Sequence, residues 1–309
     1  MSGESYAGIY VPYLSYQIYQ NNLQAEFRKE LMTINLEGFM VGNGATDWDF
    51  DVHPSFAATV ANFNVVPQKL WQEWESEGCF YSFHDVLPAK MGPKCDKLAA
   101  RIENLTKDLN WYDLYRINWP SSLSDTPREG KTMINGEERT YKRGYTMQEY
   151  TPWVKHLQHS NSAVYGDFLS DYMNQEDTRA AFNIPSDAKV WEECSSTLRY
   201  HCQTEASIWI YPILQNKYKI MFYSGDTDGA VPTYGSKEWI KKLNWPLKES
   251  WRPWTTDGQV SGYVEKYDGL DFVTVKGVGH LHTARAEERH ETASVHHLAG
   301  LRTHRGQTL

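Results

Sequence analysis

The chain has 309 residues with 31 Lys plus Arg against 39 Asp plus Glu, a formal net charge of −8, 40% hydrophobic residues and a mean hydropathy of −0.63. No stretch approaches the roughly 18 uninterrupted apolar residues of a membrane-crossing helix, and no run of five Lys or Arg offers a surface to polyanions, so the sequence predicts neither a membrane nor a nucleic-acid partner. An aromatic fraction of 14%, with 12 Trp and 20 Tyr, excludes disorder over most of the chain and suits clefts lined by amphipathic rings.

The opening Met1-Ser2-Gly3-Glu4-Ser5 carries neither a basic nor an apolar leader segment, so no signal peptide is expected in the sequence as it stands. From Ala7 to about Asn22 the four-residue spacing of Tyr10, Leu14 and Ile18 predicts a helix beginning just after Ser5. Thr33 to Val41 reads as a buried strand that ends in the turn signal Gly42-Asn43-Gly44. Residues from 46 to 165 have weak helical periods and read as an inserted region. Beyond Asp167, FLSDYMNQEDTRAAF predicts a helix, and Tyr218 to Tyr223 a strand running into Ser224-Gly225-Asp226. A helix from Lys237 to Leu243 and a strand from Asp271 to Lys276 follow, the latter running into Gly277-Val278-Gly279-His280. Leu281 to Leu309 holds five of the eleven His and little apolar periodicity.

Gly3-Glu4-Ser5-Tyr6-Ala7-Gly8, directly before a helix, has the form of a nucleophile elbow, where small residues flank a Ser because the turn is tight. The general pattern has Gly two places after the Ser; here Ala7 stands there, with Gly8 next. A Ser hydroxyl needs a base to become a nucleophile, and the base needs an orienting carboxylate. The order Ser5, Asp228, His280, with the last two just beyond predicted strands, supplies all three. Read singly, Asp228 is a turn-capping Asp and His280 a satisfied strand-end His; their joint order favours chemistry. Asn43 reads as a loop Asn tolerating positive φ, ahead of a site role. The tail histidines His282, His290, His296, His297 and His304 lack ordered spacing and read as a solvated tail, ahead of a metal site. Four Cys and the sequon Asn104-Leu105-Thr106 point to an oxidising, glycosylating compartment.

On these residues the chain resembles the serine carboxypeptidase family. GESYAG-x-YVP from Gly3 to Pro12 is similar to the family's nucleophile block, and INLEGFMVGNG from Ile34 to Gly44 to its next strand and loop. YSGDTDGAVP from Tyr223 to Pro232 resembles its acid block, and the stretch from Trp251 to His280 its histidine block. The resemblance implies an α/β-hydrolase core with an inserted, mainly helical cap. It makes Ser5 the nucleophile, Asp228 the orienting acid and His280 the general base, with Asp226 a structural neighbour. It gives the Tyr6 N–H an oxyanion role and Glu4 a hold on the substrate's C-terminal carboxylate, against a plainer reading of Glu4 as an exposed charge. Two carboxyl groups can bind only around a shared proton, so this pairing favours acidic pH.

The family's Gly-rich Trp-Asn-Gly-Gly-Pro-Gly loop, which donates a second oxyanion N–H, has no counterpart here, so the chain reads as a C-terminal portion of the fold, incomplete at its N-terminus. Cys79 and Cys95 resemble a family disulfide. Cys194 resembles a cysteine whose partner lies in the missing portion, so either Cys202 pairs with it or both are free thiols. The domains expected are 1–45 (core with elbow), 46–165 (inserted cap), 166–280 (core with acid and base) and 281–309 (disordered tail without counterpart in the family). The function implied is a serine-type carboxypeptidase acting on peptides with a free C-terminal carboxylate, in the lysosome or vacuole or secreted, without metal or organic cofactor; a homodimer is left open. The alternatives are a catalytically silent fragment or peptide-binding module, and an acyltransferase on the same scaffold.

Overall fold

Three apolar segments make the centre of the sheet in the computed structural model of the chain, which describes residues 1–28, 31–80, 92–116, 128–134, 137–143, 168–192, 204–256 and 258–281. These are β2 (Gly38–Gly42), β5 (Lys219–Gly225) and β8 (Leu270–Val275). Their near-continuous apolar character is that of parallel strands covered on both faces. With β1 (Ser2–Glu4) they pair in parallel in the order β1-β2-β5-β8, and β7 (Gln259–Tyr267) and β6 (Leu247–Thr256) extend the sheet antiparallel beyond β8. The outer strand β6 carries Lys248, Glu249, Arg252 and Pro253 and is broken by register shifts, features that blunt an exposed edge.

Side-chain alternation divides the core. Phe39, Val41, Ile220, Phe222 and Phe272 point to one face, where they pack with α1 (Ala7–Ala25), a short helix at Ile210–Leu214 and the helix at Thr233–Lys242. Trp239, fully buried there, lies 4.9 Å from Phe222 and 5.1 Å from Tyr211, ring centre to ring centre. Met40, Met221, Tyr223, Val273 and Val275 point to the other face, with Trp254 and Val264.

The helix predicted after Ser5 is α1, but it buries Ile9, Val11, Pro12, Ser15 and Ile18, while Tyr10 and Leu14 are 62% and 52% exposed. Of the three residues whose spacing predicts the helix, Ile18 is buried; Gly8, Pro12 and Ser15, not apolar by type alone, help form the close-packed side. Pro12 has no N–H for the Gly8 carbonyl one turn back; the Ser207 hydroxyl donates to that carbonyl instead, at 2.5 Å. The strand read from Thr33 starts only at Gly38. Before it, Asn22 pairs with both backbone groups of Ile34, and Asn21 donates to the Met32 carbonyl, so α1 side chains take the place of a ladder. The strands read near 218 and 271 and the helix read near 237 are present within a few residues. The β6–β7 pair has no counterpart among the elements that the sequence predicts.

Within 46–165, where helical periods are weak, three helices stand in what the contacts place with the core: α2 (His53–Asn62), α3 (Gln68–Ser76) and α4 (Pro93–Thr106). Their stripes are narrow: α3 buries only Leu70 and Trp74, and α4 Leu98, Ala99, Ile102 and Thr106. They share a separate apolar cluster with Phe56, Val60 and Val66, and a Cys79–Cys95 disulfide joins the end of α3 to α4.

The chain divides into two compact units: 1–106, 111–115 and 202–309 form the first, and 107–110 with 116–201 the second. Taken by itself, the second holds an antiparallel hairpin, β3 (Arg128–Ile134) with β4 (Glu137–Arg143), and two short helices, Phe168–Met173 and Glu176–Ala181. The single helix expected there is interrupted because the Asn174 side chain turns to pair with the Trp191 N–H and carbonyl, at 2.7 and 2.9 Å. Among the described residues no helix is long and apolar enough to cross a membrane. Cys194, Cys202 and the tail histidines lie outside the described residues.

Candidate active site

β1 delivers the chain to Ser5 and α1 leads it away, so the serine sits on the tight turn between them with φ +64, a left-handed conformation that costs a residue with a side chain about 1–2 kcal/mol. Three hydrogen bonds hold it there. The Ser5 N–H donates to the Gly42 carbonyl at 2.9 Å, and its own carbonyl accepts from the Gly8 N–H at 2.9 Å and the Ala45 N–H at 3.1 Å. Sterics explain the departure from the general elbow pattern: a side chain at position 3 would come within 2.5 Å of the Ala7 methyl, so Ala7 is tolerated because Gly3 is bare. A side chain on Gly8 would run into the backbone of Ala45. Gly8→Ala is therefore expected to push the 43–47 loop off the elbow and cost about 1–3 kcal/mol, read as a lower midpoint in denaturant melts.

The acid and the base come from the loops after β5 and β8. Asp228 and His280 are 1% and 2% exposed, whereas Ser5 is only partly covered. His280 Nε2 lies 2.7 Å from Ser5 Oγ, and His280 Nδ1 lies 2.7 Å from Asp228 Oδ2. An ionised carboxylate only accepts, so Nδ1 carries the proton and Nε2 is left to accept from the Ser5 hydroxyl. Asp228 Oδ1 accepts the N–H groups of Ala230 and Val231 at 2.6 and 3.1 Å, and its Oδ2 also accepts from Asn43 Nδ2 at 2.6 Å. Asp226 is turned elsewhere: it accepts the Gly277 N–H at 2.6 Å and ties the two loops together.

Burial works against the charged form of His280. The charge and hydrogen bond of Asp228 outweigh it, with Glu4 adding, and hold the imidazole above its ordinary value. Glu4 is half-buried in β1, level with Gly42 and, one strand further, Tyr223. Because Gly42 has no side chain, the Tyr223 ring lies across it. Burial, with the Glu4 charge adding, raises the Tyr223 phenol. Tyr6 occupies the cap position of α1, at the positive end of its dipole.

A five-residue segment, Trp111–Tyr115, docks on both loops although its neighbours on either side belong to the second unit. The Tyr112 carbonyl accepts the His280 N–H at 2.6 Å, the Trp111 carbonyl accepts the Gly229 N–H at 2.8 Å, and the Leu114 N–H donates to Thr227 at 2.9 Å. The Thr227 hydroxyl donates to Asp113 at 2.8 Å, and the Tyr112 ring meets the His280 imidazole edge to face, 5.2 Å between centres. Sequence reasoning missed this segment and the contact of Asn43 with Asp228. Asn43 does have the positive φ expected of it, +38.

Among the described residues no group of three or more His, Cys, Asp or Glu is placed to hold a metal ion. Asn104 is exposed on α4, and Cys79 and Cys95 are joined as the resemblance implied.

A parallel sheet with a serine on the turn after one strand, and an acid and a histidine beyond two later strands, is the α/β-hydrolase fold. The chain belongs to the serine carboxypeptidase family, whose model matches residues 1–295 and so continues past His280. It is 29% identical over 304 residues to serine carboxypeptidase 1 of Hordeum vulgare, covering 91% of this chain and 59% of that protein. It is 28% identical over 287 residues to serine carboxypeptidase-like 26 of Oryza sativa subsp. japonica, covering 91% and 55%. In fold it is similar to the crystal structure of a prohormone-processing carboxypeptidase from Saccharomyces cerevisiae, with a TM-score of 0.55, 17% identity, and coverage of 95% of this chain and 61% of that one. The chain thus spans less than two thirds of the length of these relatives.

Proposed function

We propose that Ser5, His280 and Asp228 are the nucleophile, general base and orienting acid of a serine-type carboxypeptidase that removes C-terminal residues from peptides. The observation that carries this is the uninterrupted relay from Ser5 Oγ through the imidazole to Asp228, two contacts of 2.7 Å in a buried setting. In the reaction Ser5 Oγ attacks the scissile carbonyl while His280 Nε2 takes its proton. The resulting imidazolium is stabilised by Asp228 and returns the proton to the leaving amine; water then hydrolyses the acyl-enzyme by the same route. The Tyr6 N–H, at the amino end of α1, serves the developing oxyanion. Glu4, beside the relay, serves the substrate's terminal carboxylate through a shared proton. The disulfide and the exposed sequon at Asn104 fit a vacuolar, lysosomal or secreted setting.

Incubating the chain with a peptide and with the same peptide amidated at its C-terminus tests the reading. The free peptide should shorten one residue at a time, the amide should be spared, and Ser5→Ala should stop the reaction. Equal cleavage of both peptides, internal cuts or no shortening at all would overturn the exopeptidase reading, and acyl transfer to an added alcohol in preference to hydrolysis would reassign the scaffold to acyl transfer.

A further inference from the structure

Asn43 stands where β2 ends, fully buried, in a left-handed conformation. Its partners fix the orientation of its amide group. Asn43 Oδ1 accepts the Gly225 N–H at 2.8 Å, which leaves Nδ2 facing Asp228 Oδ2 at 2.6 Å, with the Ser224 hydroxyl and Val231 carbonyl both at 3.3 Å. Turned over, the amide would set its oxygen against a carboxylate and its NH2 against an N–H. Asp228 Oδ2 therefore receives two donors, the His280 imidazole and the Asn43 amide.

We propose that Asn43 is a positioning residue of the relay, which fixes the rotation of the Asp228 carboxylate and draws off part of the negative charge that His280 would otherwise feel. The inference rests on the roles assigned to Ser5, His280 and Asp228 above. A donor on an anion stabilises it and weakens its pull on the next donor. The Ala230 and Val231 N–H groups also donate to this carboxylate, but on Oδ1; among the described residues Asn43 is the neutral side-chain donor on Oδ2, the oxygen that His280 faces. Asp228 and Glu4 both favour the imidazolium, and the Tyr112 ring that covers it is uncharged. Asp226 and Asp113, behind in the loops, are further acids, engaged with the Gly277 N–H and the Thr227 hydroxyl. Acting on the oxygen that His280 bonds, Asn43 adds to those backbone donors and keeps His280 from becoming too strongly protonated to act as a base. Without it, proton uptake by His280 should move to higher pH, and the range in which Ser5 can be activated should move with it.

Two variants of the full chain separate this role from simple support of the fold. Asn43→Gly accepts the left-handed backbone but removes the amide; Asn43→Asp keeps an acceptor for Gly225 and replaces the donor with an acid. The titration of His280 is followed by NMR with labelled histidine, assigned through His280→Gln, so the readout does not depend on turnover. The midpoint should rise by about 0.5–1 pH unit in Asn43→Gly and at least as far in Asn43→Asp, and the acid limb of Ser5 acylation should shift equally. An unchanged or lowered midpoint in both variants would overturn the proposal. So would unfolding of both, which would make Asn43 a support of the fold alone. Absence of acylation in the unsubstituted chain would count against the assigned function and leave the His280 titration readable.

Discussion

His280→Ala should slow the acylation of Ser5 by a fluorophosphonate at least about a thousandfold, because a nucleophile without its base is left at the reactivity of an ordinary hydroxyl. Removing a member of such a relay disables the unit, so in peptide hydrolysis Ser5→Ala combined with His280→Ala should be about as slow as either change alone. The pH dependence follows from the charge state. His280 must be neutral to accept the Ser5 proton, and its pKa is held above the ordinary 6.5. Acylation should therefore be full above that raised value and fall as pH drops through it, with an acid limb displaced upward from a free imidazole. Asp228→Asn should bring the limb down and lower the rate, since the orienting acceptor and the counter-charge are lost together. A pH profile centred at or below 6.5 in the unsubstituted chain would contradict this electrostatic account.

Asp51→Asn should stabilise the protein near neutral pH by a few kcal/mol while leaving it nearly unchanged in acid. Asp51 is completely buried, and burial raises its pKa from 3.8 to about 8 against the two backbone donors on Oδ2, the N–H groups of Thr46 and Asp47 at 2.7 and 3.0 Å. Its other oxygen has no partner among the described residues. In the folded protein this acid keeps its proton over a range where the unfolded chain releases it. The stability that comes with the proton is complete below about 4, falls by up to about 1.4 kcal/mol per pH unit as pH rises, and is lost by about 8. An Asn at this position copies the protonated acid, keeps an acceptor for the same two N–H groups and does not titrate. Denaturant melts at pH 5 and pH 8 would show the difference: a midpoint that falls toward pH 8 in the unsubstituted chain and stays level in the variant. Equal pH dependence in both would refute the account. Asp51 holds the same 43–47 loop whose Ala45 N–H braces the Ser5 carbonyl, so the expected loosening reaches the elbow.

The three residues of the relay were legible because each follows a strand and lies among small residues, a pattern set by local backbone needs. Ser5 needs a bare Gly3 beneath Ala7, and the loops after β5 and β8 need glycines at 225 and 279, where a side chain would strike neighbouring backbone or the Asp113 side chain. What supports the relay was not legible, because it is made by contacts distant in sequence. Trp111–Tyr115 bonds to residues more than a hundred positions away, with nothing in its own composition to announce a docking segment. For Asn43 the positive φ is reason enough for an Asn, so the sequence ranks a site role second, and only the fold brings its amide to Asp228. Asp51 lies in a polar stretch where an acid ordinarily faces water, and only the packing around it shows that it does not. The buried side of α1 has the same origin: Tyr10 and Leu14 are apolar by type and exposed, and the side that packs on the core includes Gly8, Pro12 and Ser15, which allow close approach.

Activation of the Ser5 hydroxyl by His280 and Asp228 is read out by mass mapping of the chain after brief exposure to a fluorophosphonate. A single covalent adduct is expected on the peptide containing Ser5, absent from Ser5→Ala and strongly reduced in His280→Ala. No adduct, or one on another serine that persists in Ser5→Ala, would contradict it.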